Sequence, residues 1–408
     1  MREVAQRFAD ALCRLGPFEP TPHLAVALSG GPDSMALTLL AQAWLQAAGG
    51  RLTALTVDHS LREASRSEAE QVAGWMRARG IAHHILTPRH TPAGNNLMQA
   101  ARQWRYHALS EWCREQGVLH CLLGHQLDDQ LETVTMQTAR GETEDGGAGM
   151  SGVRLYRGVR FLRPLLGERK ATLKAWLQAE QAPWVEDPTN ADPAYARTRT
   201  RQELAGAELQ QLQQALEEKR AERAQRELAV ARAAARVVVV HPAGFARLDR
   251  AGWLELPAPL RSQLLADLVT TIGGQIHRPR RHETSWLEET LHAFKGTQTL
   301  GQCLIYWTED QVIVAREPAR VEPPVTLQGE GVLLWDQRFR VHYTLATSLT
   351  LAALGERGRK LLGDKTLPLA TPALWHLDEL CAVPHIRDKD GLMLGFAPAK
   401  PLAARAFW

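Results

Sequence analysis

The stretch Leu24-Ala-Val-Ala-Leu-Ser-Gly-Gly-Pro-Asp-Ser34 is the most informative segment in the first half of the chain. Its apolar run predicts a buried strand, and residues 35–48 predict a helix. The two glycines between them can adopt backbone angles closed to other residues, so a phosphate can approach backbone N–H groups at the start of the helix. Pro32 suits a first helical turn, where its missing N–H costs nothing. The stretch therefore predicts an anion-binding turn.

The same turn offers side-chain ligands. A Walker loop is excluded because no Gly-Lys-Ser/Thr follows at the required spacing, and the dinucleotide fingerprint would need a third glycine. The carboxylate of Asp33 could hold a metal ion such as Mg²⁺. The alternative is a tight turn between a strand and a helix that binds nothing. We expect it to bind the phosphates of a nucleotide through Ser29, Gly30, Gly31, Pro32, Asp33 and Ser34.

Strand and helix patterns alternate through the first part of the chain. Further strands are predicted at 52–57, 82–86 and 118–123, and helices at 1–15, 67–79 and 97–116. This alternation predicts an α/β fold, a doubly wound parallel sheet with helices on both faces. Ligands of such sheets bind beyond the carboxyl ends of the strands. Because Ser29, Asp58 and Gly124 each follow a predicted strand, we expect them to converge.

A second motif, Gly124-His-Gln-Leu-Asp-Asp-Gln-Leu-Glu-Thr133, follows the strand at 118–123. Treated as a helix, it has one polar face made of His125, Asp128, Asp129 and Glu132. The opposite face carries an apolar stripe of Leu127, Leu131 and Val134. Three carboxylates without a basic residue on the same face could bind Mg²⁺, attract an ammonium group or accept a proton. A solvated acidic face is the alternative.

A third motif is Ala101-Arg102-Gln-Trp-Arg105-Tyr106, on the helix predicted at 97–116. Arg102 and Arg105 are three residues apart and share a helix face. Two guanidinium groups held in this way could bind a phosphate or a carboxylate. A pair of surface arginines is an equally good interpretation of these two residues alone.

Taken together, the motifs resemble the tRNA(Ile)-lysidine synthetase family of the PP-loop, N-type ATP pyrophosphatases. SGGxDS alone is shared by several pyrophosphatases, but the ordered set is specific and spans about the first 200 residues. The family usually has Asn where Thr198 stands, and its counterpart of the acidic segment 141–152 is more apolar. The set comprises SGGPDS, VDHSLR at 57–62, ARQWRY, GHQLDDQLET, Arg140-Gly141, Gly149-Met150-Ser-Gly152, Arg163-Pro-Leu-Leu166 and Trp184-Val-Glu-Asp-Pro-Thr-Asn190.

The resemblance implies a ligase that uses ATP and Mg²⁺. The wobble cytidine of a tRNA(Ile) with a CAU anticodon attacks the α-phosphate of ATP through its C2 oxygen, which releases pyrophosphate and leaves an adenylated base. The side-chain amine of free L-lysine then attacks C2, and AMP leaves. The base must be splayed from its stack, which costs least in a single-stranded loop.

The resemblance also implies roles for residues of this chain. The catalytic candidates are Asp33, Asp128, Asp129 and Glu132, of which Asp33 and Asp129 are the metal candidates. Asp58, Gly124 and His125 would join the turn in binding ATP. Arg102 or Arg105 would anchor the carboxylate of lysine. How the acids divide the roles of metal ligand, base and lysine binder is left open.

Three domains are expected: a PP-loop catalytic domain over 1–205, a helical arm and tRNA-binding domain over 206–318, and a small α+β C-terminal tRNA-binding domain over 325–408. A long helix from about 203 to 236 opens the second, and a β-hairpin at 331–345 lies in the third.

A basic cluster at 278–282 and the arginines of 197–201 fit either tRNA contact or a solvated surface. The segment 141–152 reads as a surface linker, and a lid role is a hypothesis taken from the family.

Composition narrows the class of protein. The 408 residues carry a formal net charge of +3, too small to establish a nucleic-acid partner. The five cysteines form no C-x-x-C pair, so no zinc ribbon or iron–sulfur site is indicated. This argues against one alternative function, that of a tRNA base thiolase. The other alternative is a non-catalytic tRNA-binding protein. Without a signal core or a bilayer-spanning run, we expect a cytoplasmic protein with no membrane partner, either monomer or homodimer.

Overall fold

The computed structural model describes residues 2–58, 64–87, 97–139, 146–186, 207–386 and 389–402. The sequence motifs at 59–62, 140–145, 187–190 and 197–201 lie outside these residues. The chain forms two compact units, divided between Gln225 and Arg226. The expected three-domain division remains a prediction.

The first unit is built on a six-stranded sheet with the order β3-β2-β1-β4-β6-β5. Its strands are β1 (His23–Ala27), β2 (Arg51–Val57), β3 (Ala82–Leu86), β4 (His120–Leu122), β5 (Val153–Tyr156) and β6 (Val159–Leu162). All neighbouring strands pair in parallel except β5, which pairs antiparallel with β6 at the edge. The expected α/β fold with a mostly parallel sheet is confirmed.

Helices cover both faces of this sheet. They are α1 (Arg2–Leu15), α2 (Pro32–Ala48), α3 (Ala64–Ala78), α4 (Leu97–Glu115), α5 (Leu127–Ala139) and α6 (Lys170–Ala179). Because side chains alternate along a strand, Leu24 and Val26 of β1 join the core that includes α1, α2 and α6, whereas Ala25 joins the core beneath α4. The sheet is therefore doubly wound, as the sequence pattern predicts.

One helix, α7 (Ala207–Val237), leads from the first unit into the second. The second unit contains a five-stranded antiparallel sheet in the order β7-β8-β11-β10-β9. The strands are β7 (Val238–His241), β8 (Phe245–Asp249), β9 (Gly296–Leu300), β10 (Cys303–Trp307) and β11 (Gln311–Arg316), with α8 (Arg250–Leu254), α9 (Ala258–Ile272) and α10 (Arg281–Thr290). The region expected to be a helical arm and tRNA-binding domain thus also holds a five-stranded sheet.

The end of the chain forms another antiparallel sheet. It consists of β12 (Val325–Trp335), β13 (Phe339–Ala353), β14 (Pro372–His376), β15 (Glu379–Ala382) and β16 (Leu392–Phe396), with α11 (Gly355–Leu362) after β13. The predicted hairpin at 331–345 is present, and its strands run further than the pattern indicated. Across the described residues, we find no helix both long enough and apolar enough to cross a bilayer.

Candidate active site at the carboxyl edge of the parallel sheet

The glycine turn is held closed by the hydroxyl of Ser34. Its Oγ accepts a hydrogen bond from the backbone N–H of Ser29 at 3.2 Å and donates to the carbonyl of Gly31 at 3.0 Å. The two serine Oγ atoms lie 3.1 Å apart. The helix α2 then begins at Pro32, and the first N–H groups of a helix are a ready anion site.

The two glycines of the turn are needed for different reasons. Gly30 has φ +82°, and a Cβ there would lie 2.7 Å from Cγ2 of Val72, so the fold itself requires glycine. Gly31 has φ −69°, and among the described residues a Cβ there would meet only Oγ of Ser29, at 3.6 Å. The described packing therefore leaves room for a side chain at Gly31, on the turn where we expect a phosphate to bind.

The second motif lies against this turn. A Cβ at Gly124 would lie 3.2 Å from both N and Cα of Ser34. Asp58, at the end of β2, is buried, and its backbone N–H donates to the carbonyl of Leu86 at 3.0 Å. Because β1 lies between β2 and β4, Ser29, Asp58 and Gly124 stand along one edge of the sheet, where its order reverses. Open α/β sheets bind ligands at this position.

The helix α5 begins at Leu127, so His125 precedes it and does not lie on its acidic face, contrary to the sequence interpretation. Gln126 explains the late start. Its side-chain oxygen accepts the N–H of Asp128, and its own N–H donates to Oδ2 of Asp129 at 3.1 Å. These reciprocal bonds cap the helix.

Asp128 is engaged with a neighbouring helix. Its Oδ2 accepts the N–H of Lys170 at 2.8 Å, at the start of α6, and its Oδ1 lies 2.7 Å from Nη2 of Arg169. The carboxylate thus satisfies a donor that the start of α6 would otherwise leave unpaired. Its catalytic role, suggested from the sequence, remains a proposal.

Glu132 lies one turn further along α5 and is only 5% exposed. The opposite stripe is present, since Leu131 and Val134 pack with Leu216 of α7. A solvated acidic face does not describe Glu132, because its carboxylate has been removed from bulk water at a cost. Buried acids at the carboxyl edge of a sheet are candidates for chemistry.

Arg163 is a residue of this region to which the sequence assigned no role. It is 4% exposed, and its guanidinium donates to Nδ1 of His125 at 3.3 Å, to the carbonyl of Ser151 at 2.5 Å and to the hydroxyl of Tyr106 at 3.2 Å. Because Nδ1 accepts, the contact assigns the proton of neutral His125 to Nε2. The sequence does contain a sign of this role, because Arg163 interrupts the apolar run 161–166, where a buried side chain is expected.

The two arginines of α4 are both exposed, and they lie close enough for their charges to interact. The guanidinium carbon of Arg102 lies 5.5 Å from the ring centroid of Tyr106, so it joins the cluster around Arg163. Burial alone would raise the pKa of the Tyr106 hydroxyl, but the charges of Arg163, Arg102 and Arg154 outweigh it and lower that pKa. Arg105 makes no hydrogen bond or ion pair within the described ranges, and desolvation, followed by the charge of Arg102, lowers its pKa.

The end of the segment 141–152, which the sequence favours as a surface linker, is fixed to α5. Gln130 is buried and bonds both backbone groups of Met150, accepting at 2.5 Å and donating at 2.8 Å. Arg223 of α7 donates to the carbonyl of Gly149 at 2.9 Å. Residues 149–151 therefore lie beside the acidic helix, whereas residues 141–145 of the segment lie outside the described residues, and the lid role remains a hypothesis.

The carboxylates of this site could bind Mg²⁺ together with the phosphates of a nucleotide, but not by themselves. Among the residues that the structure describes, no group of three or more His, Cys, Asp or Glu side chains could hold a metal ion. Mg²⁺ commonly uses one or two carboxylates together with substrate phosphates and water. Asp33, in the first turn of α2, and Asp129, in the first turn of α5, match that mode.

Comparison with known proteins agrees with this geometry. A family model described as a PP-loop domain matches residues 2–208. The chain is thus a PP-loop protein, and its N-terminal domain implies ATP binding.

Relatives named tRNA(Ile)-lysidine synthase are similar over most of the chain. The relative from Ruegeria pomeroyi is 34% identical, covering 90% of this chain and 89% of its own. The relative from Mesorhizobium japonicum is 35% identical, covering 83% and 77%, and that from Orientia tsutsugamushi is 29% identical, covering 94% and 93%. The chain belongs to the tRNA(Ile)-lysidine synthase family of ligases.

Proposed function

We propose that the protein ligates the side-chain amine of free lysine to C2 of the wobble cytidine in tRNA(Ile) with a CAU anticodon, at the expense of ATP. The cytidine C2 oxygen attacks the α-phosphate, pyrophosphate leaves, and the amine then displaces AMP from C2. One observation carries the proposal: the backbone at Gly124 lies against Ser34, which joins the glycine turn to the acidic helix at one edge of the sheet.

The glycine turn suits the first half-reaction. Backbone N–H groups at the start of α2 point toward a bound anion, and their dipoles stabilise the charge that develops on pyrophosphate. The room at Gly31 lets phosphate oxygens approach them. Mg²⁺ held by Asp33 and Asp129 would neutralise phosphate charge.

The acidic helix suits the second half-reaction. Lysine arrives as an ammonium ion and must lose a proton before its nitrogen can attack. Glu132 is a buried carboxylate of α5, whereas Asp128 caps the start of α6. We assign it the role of attracting the ammonium group and accepting its proton. Arg102, beside Tyr106, is the better placed of the two arginines to bind the lysine carboxylate.

His125 has a donor role in this scheme. Since Nδ1 accepts from Arg163, the proton of the neutral ring is on Nε2, and His125 directly follows Gly124 at the edge of the nucleotide turn. A neutral imidazole N–H can donate to a phosphate oxygen without changing protonation state.

The test is incubation with ATP, labelled lysine and an unmodified tRNA with a CAU anticodon, followed by digestion and nucleoside mass analysis. We expect the label on cytidine, with AMP and pyrophosphate released in equal amounts. The matched control is the same tRNA with a GAU anticodon, which lacks the wobble cytidine. AMP release without lysine incorporation would contradict the proposal.

The alternative of tRNA 2-thiolation finds little support in the cysteines. A sulfur carrier needs an accessible thiolate. Cys113, Cys121 and Cys303 are buried. The hydrogen bond with Cys113, together with burial, holds the pKa of Cys121 well above its usual value, and burial raises the pKa of Cys303 to about 12. Cys13, on α1, is exposed, and Cys381, on β15, is partly exposed, so these two are the accessible thiols.

A further inference from the structure

The helix α7 buries two arginines on one face. Arg220 and Arg223 are three residues apart, and they are 9% and 8% exposed. Arginine is almost never buried to this extent unless it is paired with an acid. These two residues lie outside the motifs that the sequence singled out, and the proposed reaction gives them no role.

Arg220 lacks the partners that burial normally requires. Within the described part of the chain, its Nε and Nη2 make no hydrogen bond. Burial, and then the neighbouring charge of Arg223, lower the pKa of Arg220 to about 10 against a smaller opposing effect of Glu217. The folded protein therefore holds a desolvated cation next to another cation, an arrangement that an anion would stabilise.

The pair lies beside the acidic helix of the candidate site. Arg223 donates to the carbonyl of Gly149, and the next residue, Met150, is bonded through its backbone to Gln130 of α5. Gly149 has φ +62°, and a Cβ there would lie 2.6 Å from Oε1 of Gln130 and 3.2 Å from Cδ1 of Leu216. Glycine at this position is what lets α7 pack so close to α5.

We propose that Arg220 and Arg223 form a phosphate-binding site on α7, next to the acidic helix. The planar fork of a guanidinium matches phosphate oxygens, and two adjacent forks match a dianion or successive backbone phosphates better than a single carboxylate. The phosphate could come from the backbone of the anticodon loop or from the pyrophosphate portion of ATP. The inference rests on the proposed function for the identity of the RNA, and on the buried guanidinium groups for the phosphate chemistry.

The anticodon loop is the source that the reaction favours. A base can enter a closed site only after leaving its stack, and contacts to the neighbouring phosphates offset that cost. Each phosphate neutralised by a protein cation adds about 0.7 to the dependence of log Kd on log salt for single strands. Loss of one contact therefore has a signature that simple destabilisation does not produce.

The experiment compares full-length wild type, Arg220→Met and the matched control Arg232→Met, which removes an exposed arginine of the same helix. Two ligands are titrated at several salt concentrations: a CAU anticodon stem-loop RNA and inorganic pyrophosphate. For Arg220→Met we expect stem-loop binding about tenfold weaker at low salt, a salt slope shallower by about 0.7, and unchanged pyrophosphate binding. Weaker pyrophosphate binding with an unchanged stem-loop slope would assign the site to ATP. No change for either ligand would overturn the proposal.

Thermal unfolding separates this role from a structural one. Removing a buried cation without hydrogen-bonded partners should leave the Tm of the ligand-free protein unchanged or raise it. A lower Tm for Arg220→Met with wild-type binding of both ligands would make the residue structural and would also overturn the proposal. Arg220→Lys, which keeps the charge, should retain the salt slope. Failure of wild type to form lysidine would defeat the proposed function, whereas the binding comparison would still decide the phosphate site.

Discussion

Oδ1 of Asp128 lies 2.7 Å from Nη2 of Arg169, while its Oδ2 accepts the N–H of Lys170. A single carboxylate thus joins the first turn of α5 to the start of α6. Three neighbouring acids that look equivalent in the sequence are therefore unequal in the structure, because one is bound to a helix terminus and another, Glu132, is buried on the same helix.

This difference gives a prediction for Asp128. We expect Asp128→Asn to lower the free energy of unfolding by about 1 to 3 kcal/mol, since the amide oxygen can still accept the N–H of Lys170 but the NH2 group then faces the guanidinium of Arg169 and the ion pair is lost. Urea unfolding followed by circular dichroism measures it. Wild-type stability with complete loss of lysine transfer would instead place Asp128 in the chemistry.

Glu132 should behave in the opposite way. Glu132→Gln keeps the size of the side chain and removes its charge, so we expect normal ATP binding and a loss of lysine transfer of at least about 100-fold. Single-turnover assays that follow AMP and labelled lysine separately will show whether ATP is still used while lysine transfer is lost. Transfer at the wild-type rate would remove Glu132 from the mechanism.

The two glycines of the turn offer a matched pair of variants. Gly31→Ala should leave the Tm unchanged, because among the described residues its Cβ meets only Ser29, at 3.6 Å, yet weaken ATP binding by about tenfold or more by filling the space of a phosphate. Gly30→Ala should lower the Tm, because its backbone has φ +82° and Val72 is 2.7 Å away. Thermal shift and ATP titration on both variants check this. Unchanged ATP affinity in Gly31→Ala would contradict the phosphate assignment.

Arg163 should fix the tautomer of His125. In wild type we expect nitrogen NMR of labelled histidine to show His125 with the proton on Nε2, its signals being assigned by their loss in His125→Gln. In Arg163→Met the signals should move toward a mixture of tautomers, and in Arg163→Lys they should shift less. A wild-type pattern in Arg163→Met would show that the 3.3 Å contact does not set the tautomer.

His83 should make the first unit less stable in acid. Its Nε2 lies 2.8 Å from Oγ1 of Thr56, and burial, followed by the charge of His84, lowers its pKa from 6.5 to about 4. Protonation of His83 is therefore easier in the unfolded chain. The contribution of neutral His83 to the free energy of unfolding is fully present above pH 6.5 and is lost as the pH falls toward 4. Unfolding at a series of pH values should show a loss of about 1 to 3 kcal/mol that is smaller in His83→Gln.

The strand and helix order of the first unit could be predicted from the sequence because the β1 and β2 patterns are strongly apolar and the turns carry glycine. The bounds of β3, residues 82–86, agree with the prediction. The start of α5 could not be predicted, since it depends on how the side chain of Gln126 bonds to Asp128 and Asp129. Periodicity alone places His125 on the helix face.

The polar contacts of the site depend on pairs that are far apart in the chain. Arg163 is 38 residues from His125 and 57 from Tyr106, so no local pattern reveals the cluster. The capping of α6 by Asp128 likewise joins residues 42 apart. Sequence reasoning supplied the residue types and the shared edge, whereas the tertiary structure distinguishes their individual environments.

The most direct measurement of the central claim is a crystal structure of the protein with α,β-methylene ATP and Mg²⁺. We predict phosphates against the backbone of Ser29–Ser34, with the α-phosphate on the side of Gly124 and the metal on Asp33 or Asp129. Density for the nucleotide at any other place in the fold, or phosphates turned away from α5, would contradict the account.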